Sequence, residues 1–241
     1  QMISSQVLQT AMDELRAITR IDLCVMDLEG KTIAATFSDM DIAEDTVRAF
    51  ADSMADSQVI QGYHFFKVFD DRTMEYILIA RGSGEDVYMI GKVAVSEIQN
   101  LIIAYKERFD KNNFIQNLLL DNLLLVDIYN RAKKLHIDVE ARRIVFIIET
   151  KHEKDNLALE TIKSLFAMKT KDFITAVDER NIILVKELKE NEDYPEMEET
   201  AKVMLDMLNT EAMSSVRISY GTIVNEIKQV SKSYKEAQMA L

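Results

Sequence analysis

Apolar positions along this chain recur with two different periods, and the switches between them mark out its elements. Val7, Leu8, Ala11, Leu15 and Ile18 fall at helical spacing within residues 4–19, which gives a first helix one apolar face. Ile21–Asp27 is then dense in β-formers, Glu29-Gly30-Lys31 supplies a turn, and Thr32–Thr36 reads as the returning strand. Asp45–Met54 goes back to the helical period. Three further runs read as strands: Tyr63–Phe69, Glu75–Ala80 and Val87–Val95. They are punctuated by Asp70-Asp71-Arg72 and by a hairpin turn at Gly82 and Gly84. Helix, two strands, helix, three strands, helix, joined by short connections, forces antiparallel neighbours. The expected fold is α+β, beginning with a five-stranded antiparallel sheet covered by helices.

From Ser96 onward the helical period is sustained, with Ser96 and Glu97 offering an N-terminal capping pattern. Ile98, Leu101, Ile102, Tyr105 and Phe109 make one apolar stripe, which breaks at Lys111-Asn112-Asn113 and resumes with Phe114, Ile115, Leu118 and Leu119. A helix over residues 97–126 admits two readings. It packs across its own sheet with Asn112 and Asn113 in water, or it pairs in parallel with a second copy, a polar seam residue setting the register. The second reading predicts a homodimer through this helix. Asp127 is placed to cap a further helix, Ile128–Leu135.

The second half repeats the alternation in a different order. Arg143–Thr150 is a strand and Leu157–Met168 an amphipathic helix. Phe173–Val177 and Ile182–Glu187 are strands joined by Asp178-Glu179-Arg180-Asn181. Pro195 opens a helix running to about Asn209, Val216–Tyr220 is a strand, and a last helix starts at Glu226. The order β-α-β-β-α-β-α contains the ferredoxin-like split unit. The expected division is a sensor-like domain over 2–96, a helical connector over 97–135 and a second domain over 136–241. The final helix reaches Leu241 without a Gly or Asn cap, so the chain is expected to continue into a further module.

Composition removes several function classes. A net charge of −12 sets this segment against binding nucleic acid, and Arg131–Lys134 reads as one solvated helix face. Cys24 is the single cysteine, so neither an internal disulfide nor a cysteine metal site can form, and cytoplasmic residence is expected. Residues 2–20 mix apolar residues with Asp13, Glu14 and Arg16, unlike a secretion signal, and no uninterrupted apolar run suits a membrane. The six glycines form no phosphate-cradling motif, and no GxSxG or HExxH occurs. His64, His136 and His152 have no companions at ligand spacing. No catalytic residue, metal ligand or cofactor is expected. Tyr63, Lys67, Tyr76, Arg81 and Tyr88, interleaved with the strand aromatics, are the candidates for gripping a small effector, because an Arg or Lys holds a carboxylate through strong charge-assisted contacts. The competing reading makes them the solvent or dimer face of the sheet.

Two resemblances add to this. The element order over residues 4–110 resembles the PAS, GAF and roadblock-like group of sensor and dimerisation modules. More specifically, Arg131, Ala132, Leu135 and Ile137 (RAxxLxI), Tyr220-Gly221, and Ser233, Tyr234, Glu236, Ala237, Ala240 and Leu241 (SYxEAxxAL) resemble the CdaR/PucR class of bacterial transcriptional regulators. That resemblance, over about 114–241, implies a GGDEF-like domain between a variable sensor and a C-terminal helix-turn-helix, through which alone DNA would be met. It implies an effector-sensing, dimerising region that is not an enzyme. In active GGDEF cyclases the hairpin between the second and third strands carries paired glycines and acidic residues that contact nucleotide and metal. Here the hairpin reads AVDERNIILV, with Asp178 and Glu179 retained and both glycines missing. Two other readings stay open: a divergent nucleotide-binding or cyclase-type domain, and a purely structural dimerisation scaffold.

Overall fold

The computed structural model describes residues 3–151, 156–166, 171–211 and 215–241. The chain forms two compact units, Gln1–Glu107 and Arg108–Leu241. The first contains α1 (Ser5–Thr19), β1 (Asp22–Met26), β2 (Thr32–Ala35), α2 (Glu44–Asp52), β3 (Ser57–Ile60), β4 (Tyr63–Asp70), β5 (Thr73–Arg81) and the start of α3 (Asp86–Leu119). Its sheet is antiparallel throughout, in the order β2-β1-β5-β4-β3. Strand alternation sends Leu23, Val25, Phe66, Val68, Tyr76 and Leu78 to one face, where Leu8 and Met12 of α1 and Ala94 and Ile98 of α3 meet them. Cys24, Phe65, Ile77 and Ile79 go to the other, against Val47 and Phe50 of α2. With both faces covered, β5 is apolar almost without interruption.

The sheet has the expected five strands, but one differs. Val87–Val95 is the first part of α3, and the fifth strand is β3. The run is rich in β-branched residues, yet Val87, Gly91, Ala94 and Ile98 recur every three or four positions and bury against the sheet. Gly91 permits this approach, since a Cβ there would lie 2.2 Å from the Phe66 ring. β3 enters through a two-residue turn, Gln61-Gly62, with φ of 52° and 82° and Ile60 paired to Tyr63. Both turn residues take the left-handed conformation of a primed hairpin turn, for which Gln-Gly is a weaker sequence signal than Asn-Gly. Ser96 and Glu97 consequently lie inside α3 rather than capping it. By length and composition alone α3 could cross a membrane, although, as expected, it holds no uninterrupted apolar run of that length. Its apolar residues have a different destination: Ala94, Ile98 and Ile102 enter the first unit's core, and Phe114, Ile115, Leu118 and Leu119 the second's.

The second unit continues with α4 (Leu125–Lys134), β6 (Arg143–Thr150), α5 (Asn156–Phe166), β7 (Phe173–Ala176), β8 (Asn181–Glu187), α6 (Tyr194–Glu211), β9 (Val216–Tyr220), a 3-10 turn (Ile227–Gln229) and α7 (Val230–Met239). Its antiparallel sheet runs β7-β8-β6-β9, the expected ferredoxin-like arrangement. Ile144, Phe146, Ile148 and Leu184 pack under α5 and α6, and Val145, Ile147, Ile183 and Val185 under the end of α3, α4 and α7. Asp127 does not cap α4, whose N-cap is Leu124; it lies in the first turn, where its charge suits the helix dipole. The last helix starts at Val230, because Glu226 is extended and the 3-10 turn intervenes. His152 and the expected helix residues Ala167 and Met168 lie outside the described residues.

Candidate functional site

β4 and β5 divide the five effector candidates between opposite sides of the first sheet. Tyr63, Lys67 and Arg81 share the α2 side with Phe65, Ile77 and Ile79, whereas Tyr76 lies on the α1 and α3 side with Phe66 and Leu78. Tyr88 is not on a strand; it stands on α3, 48% exposed, its ring 5.7 Å from that of Phe66. The five therefore line no common pocket. Two surface depressions, of about 370 and 300 Å³, are lined by Leu28, Arg48 and Met74 with their neighbours, and by Val7, Ala11 and Leu101 with theirs. None of the five contributes to either.

Each candidate already has intramolecular work. Lys67 is buried; its ammonium donates to the Ser53 carbonyl at the end of α2 and sits 5.3 Å from the Phe50 ring centre. A cation there complements the helix C-terminus. Tyr76 is 2% exposed, and burial pushes its phenol up, assisted by Glu75 and opposed by a backbone hydrogen bond at Ile3. Arg81 is the exception in position. Its fork spans two carboxylates, donating from Nη2 to Asp22 at 3.1 Å and from Nη1 to Asp39 at 2.9 Å, while the guanidinium lies 4.1 Å over Phe37. Phe37 in turn stacks on Tyr63 at 6.4 Å. Asp22 also receives Arg16 Nε at 3.3 Å and the Thr36 hydroxyl at 3.1 Å. Burial raises its pKa, but the hydrogen bonds from Arg81, Arg16 and Thr36 outweigh this and hold the carboxyl below its ordinary value. Among these partners Asp39 is the loosely held one, its side chain 75% exposed.

In the second unit the β7–β8 hairpin shows what became of the two turn carboxylates. Asp178 accepts the backbone N–H groups of Arg180 and Asn181, both at 2.8 Å, and the Asn181 side-chain amide at 2.7 Å. Burial raises its pKa, and these bonds more than reverse the shift. Asp178 is thereby an Asx-turn group with its oxygens committed to the chain itself. Glu179 is exposed beside it. Among the described residues no group of three or more His, Cys, Asp or Glu is placed to hold a metal ion.

At the opposite end of the same sheet lies a charged cluster that the sequence did not announce. Arg143 opens β6 and is 2% exposed, with Nη2 donating to the Asp138 carbonyl at 2.6 Å. Burial lowers its pKa against the pull of Glu187, Asp138 and Asp172. Lys186, 3% exposed, has Asp172 at 3.7 Å. A lone charge at a strand end ordinarily reads as exposed; Arg143 is instead enclosed, with Glu187 on β8 opposite it in register and acting on it through its charge.

The residues of the closing motif have structural tasks. Ser233 Oγ accepts the Val145 N–H at 3.1 Å and donates to the Thr222 carbonyl at 2.7 Å, in a fully buried position. A Cβ on Gly221 would come within 2.0 Å of the Ser233 carbonyl oxygen. Thr222 donates to Glu236 at 2.8 Å, and Ser219 to the Ala237 carbonyl at 2.6 Å. Together they clamp α7 onto β6 and β9. In the RAxxLxI segment Arg131 donates to Asn113 Oδ1 at 3.2 Å, while Ala132 and Ile137 are buried in the core, which fixes α4 to the end of α3.

Residues 122–241 match the family model described as a GGDEF-like domain. No curated protein matches the chain. Among solved structures, the chain is similar to PelD 158-CT from Pseudomonas aeruginosa PAO1 at 12% identity and a TM-score of 0.33, covering 98% of this chain and 89% of that one. It is also similar to PelD 156-455 from Pseudomonas aeruginosa PA14 in complex with c-di-GMP, at 11% identity and a TM-score of 0.34, covering 90% and 82%.

Proposed function

With residues 122–241 a GGDEF-like domain, we propose that the chain is the signal-receiving and dimerising part of a bacterial regulator whose GGDEF-like domain has kept the fold and lost the transferase. The observation that carries this reading is the β7–β8 hairpin. Asp178 spends its carboxylate on Arg180 and Asn181, and no glycine in the turn lets backbone approach a phosphate. Within the same reading the regulator is cytoplasmic and of the CdaR/PucR type, meeting DNA through a helix-turn-helix outside this acidic segment. Its effector site centres on Arg81 and Tyr63, since Lys67 and Tyr76 are enclosed and Tyr88 stands elsewhere. An effector acts only if it binds one arrangement of the regulator better than another.

A second reading has its own support in the family match: a divergent GGDEF-like domain that still binds a nucleotide without converting it. Calorimetric titration with GTP and with c-di-GMP in Mg²⁺, followed by chromatography of the products, separates the two. The proposed reading expects neither nucleotide to bind nor react. Saturable binding without turnover transfers the assignment to the second reading, and a cyclised product overturns both.

A further inference from the structure

Apart from Phe109, which is 43% exposed, the apolar stripe that the sequence displays on α3 is used inside the molecule. Ile98 and Ile102 are buried on the first unit's sheet with Leu101 and Tyr105 beside them, and Phe114–Leu119 are spent in the second unit. Asn113 accepts from Arg131 and Asn117 within its own chain, so the polar step at Lys111–Asn113 is not a free seam. A different set of α3 residues points the other way. Met89, Val93, Ser96, Asn100 and Ile103 follow one another at steps of four, three, four and three, and all are exposed. Met89 is 62%, Val93 46% and Ile103 60% exposed. On a helix of 3.6 residues per turn they form one line, diametrically opposite the buried Gly91, Ala94 and Ile98.

We propose that this line is a two-stranded parallel seam and that its occupant is the same face of a second copy of this chain. The proposal rests on the dimerising role argued above and assigns it a surface. Three observations favour a second copy. The alternating steps of four and three are the a and d spacing of a coiled coil, which faces an identical line most simply across a two-fold axis. Asn100 occupies an a position, where a polar pair fixes register and favours two parallel strands. The flanks carry opposite charges at the spacing that meets across a parallel pair: Lys92 at g lies five residues before Glu97 at e, so Lys92 of each copy faces Glu97 of the other. Among the described residues neither has an ion-pair partner in its own chain, Lys92 resting 6.0 Å from the Tyr88 ring centre. An antiparallel pair would instead set like flanks together.

Sedimentation velocity of the full chain tests this. The expected mass is twice 27.7 kDa. Ile103→Asp should raise the dimer dissociation constant roughly tenfold or more, the scale of losing one central apolar contact. Lys92→Glu and Glu97→Lys should each weaken self-association, because each sets like charges opposite one another. An equimolar mixture of those two exposed-site variants should dimerise again, because both flanks are then complementary; misfolding cannot produce that recovery. A wild-type monomer overturns both this seam and the dimerising role. A dimer indifferent to Ile103→Asp and to both charge reversals overturns the seam alone.

Discussion

At the scale of single residues, the side chains that made the sequence recognisable turn out to hold the second unit together. Ser233 and Gly221 are the plainest cases. Ser233→Ala removes the acceptor of the buried Val145 N–H, and an unmade buried hydrogen bond costs about 1–3 kcal/mol. Gly221→Ala should cost more, since its Cβ meets a backbone oxygen that no rotamer can move aside. Both losses are expected in chemical denaturation with unchanged m-values. Asp22 gives a pH-dependent counterpart. Its carboxyl titrates lower in the folded chain than in the unfolded one, so its contribution is complete above about pH 4 and disappears as pH falls through the folded value. Asp22→Asn should therefore lower stability at neutral pH and flatten the acid limb of the stability curve; an unchanged acid limb would remove Asp22 as a source of that dependence. Cys24 illustrates how far burial alone can act: its thiol is pushed up to about 11, which leaves almost no thiolate at neutral pH.

At the scale of elements, α3 is where local pattern and tertiary packing part company. Val87–Val95 carries the residue types of a strand, and its conversion to helix depends on Phe66 finding a gap in the opposite face. Gly91 is that gap. Gly91→Val improves helix propensity by less than about 1 kcal/mol but forces three carbons into a filled core, where overpacking costs about 1–3 kcal/mol. The packing term is larger, so the variant should melt at a lower temperature; a higher melting temperature would show that Phe66 can yield. The β3 strand was illegible for the complementary reason. Its four residues are half exposed at the sheet edge, Val59 59% so, and its turn relies on Gln61 adopting a positive φ. No hydrophobic alternation marks such a strand, which is defined by pairing to β4.

At the scale of the whole molecule, each unit has a sheet covered on both faces by helices and its own core clusters, with α3 giving its first part to one core and its end to the other. Thermal unfolding is accordingly expected in two transitions, with Gly91→Val lowering one and Ser233→Ala the other; a single transition moved by both variants would mean the units unfold together. Periodicity alone was enough to reveal two sheets and the split β-α-β-β-α-β order, because these depend on residue type and near neighbours; the absence of paired glycines from the hairpin was legible only against the GGDEF resemblance. The division of Tyr63, Lys67 and Arg81 from Tyr76 was also latent in strand parity, but only the packing of α3 on the sheet showed that Tyr88 belongs to a helix. The commitment of Asp178 to its own turn, the enclosure of Arg143 and the partners of Arg81 were decided by tertiary structure, since each depends on chain segments brought together by folding. So was the face of α3 left open. A heptad line and a core stripe can coexist on one helix, and packing against the sheet decides which of the two remains available to a partner.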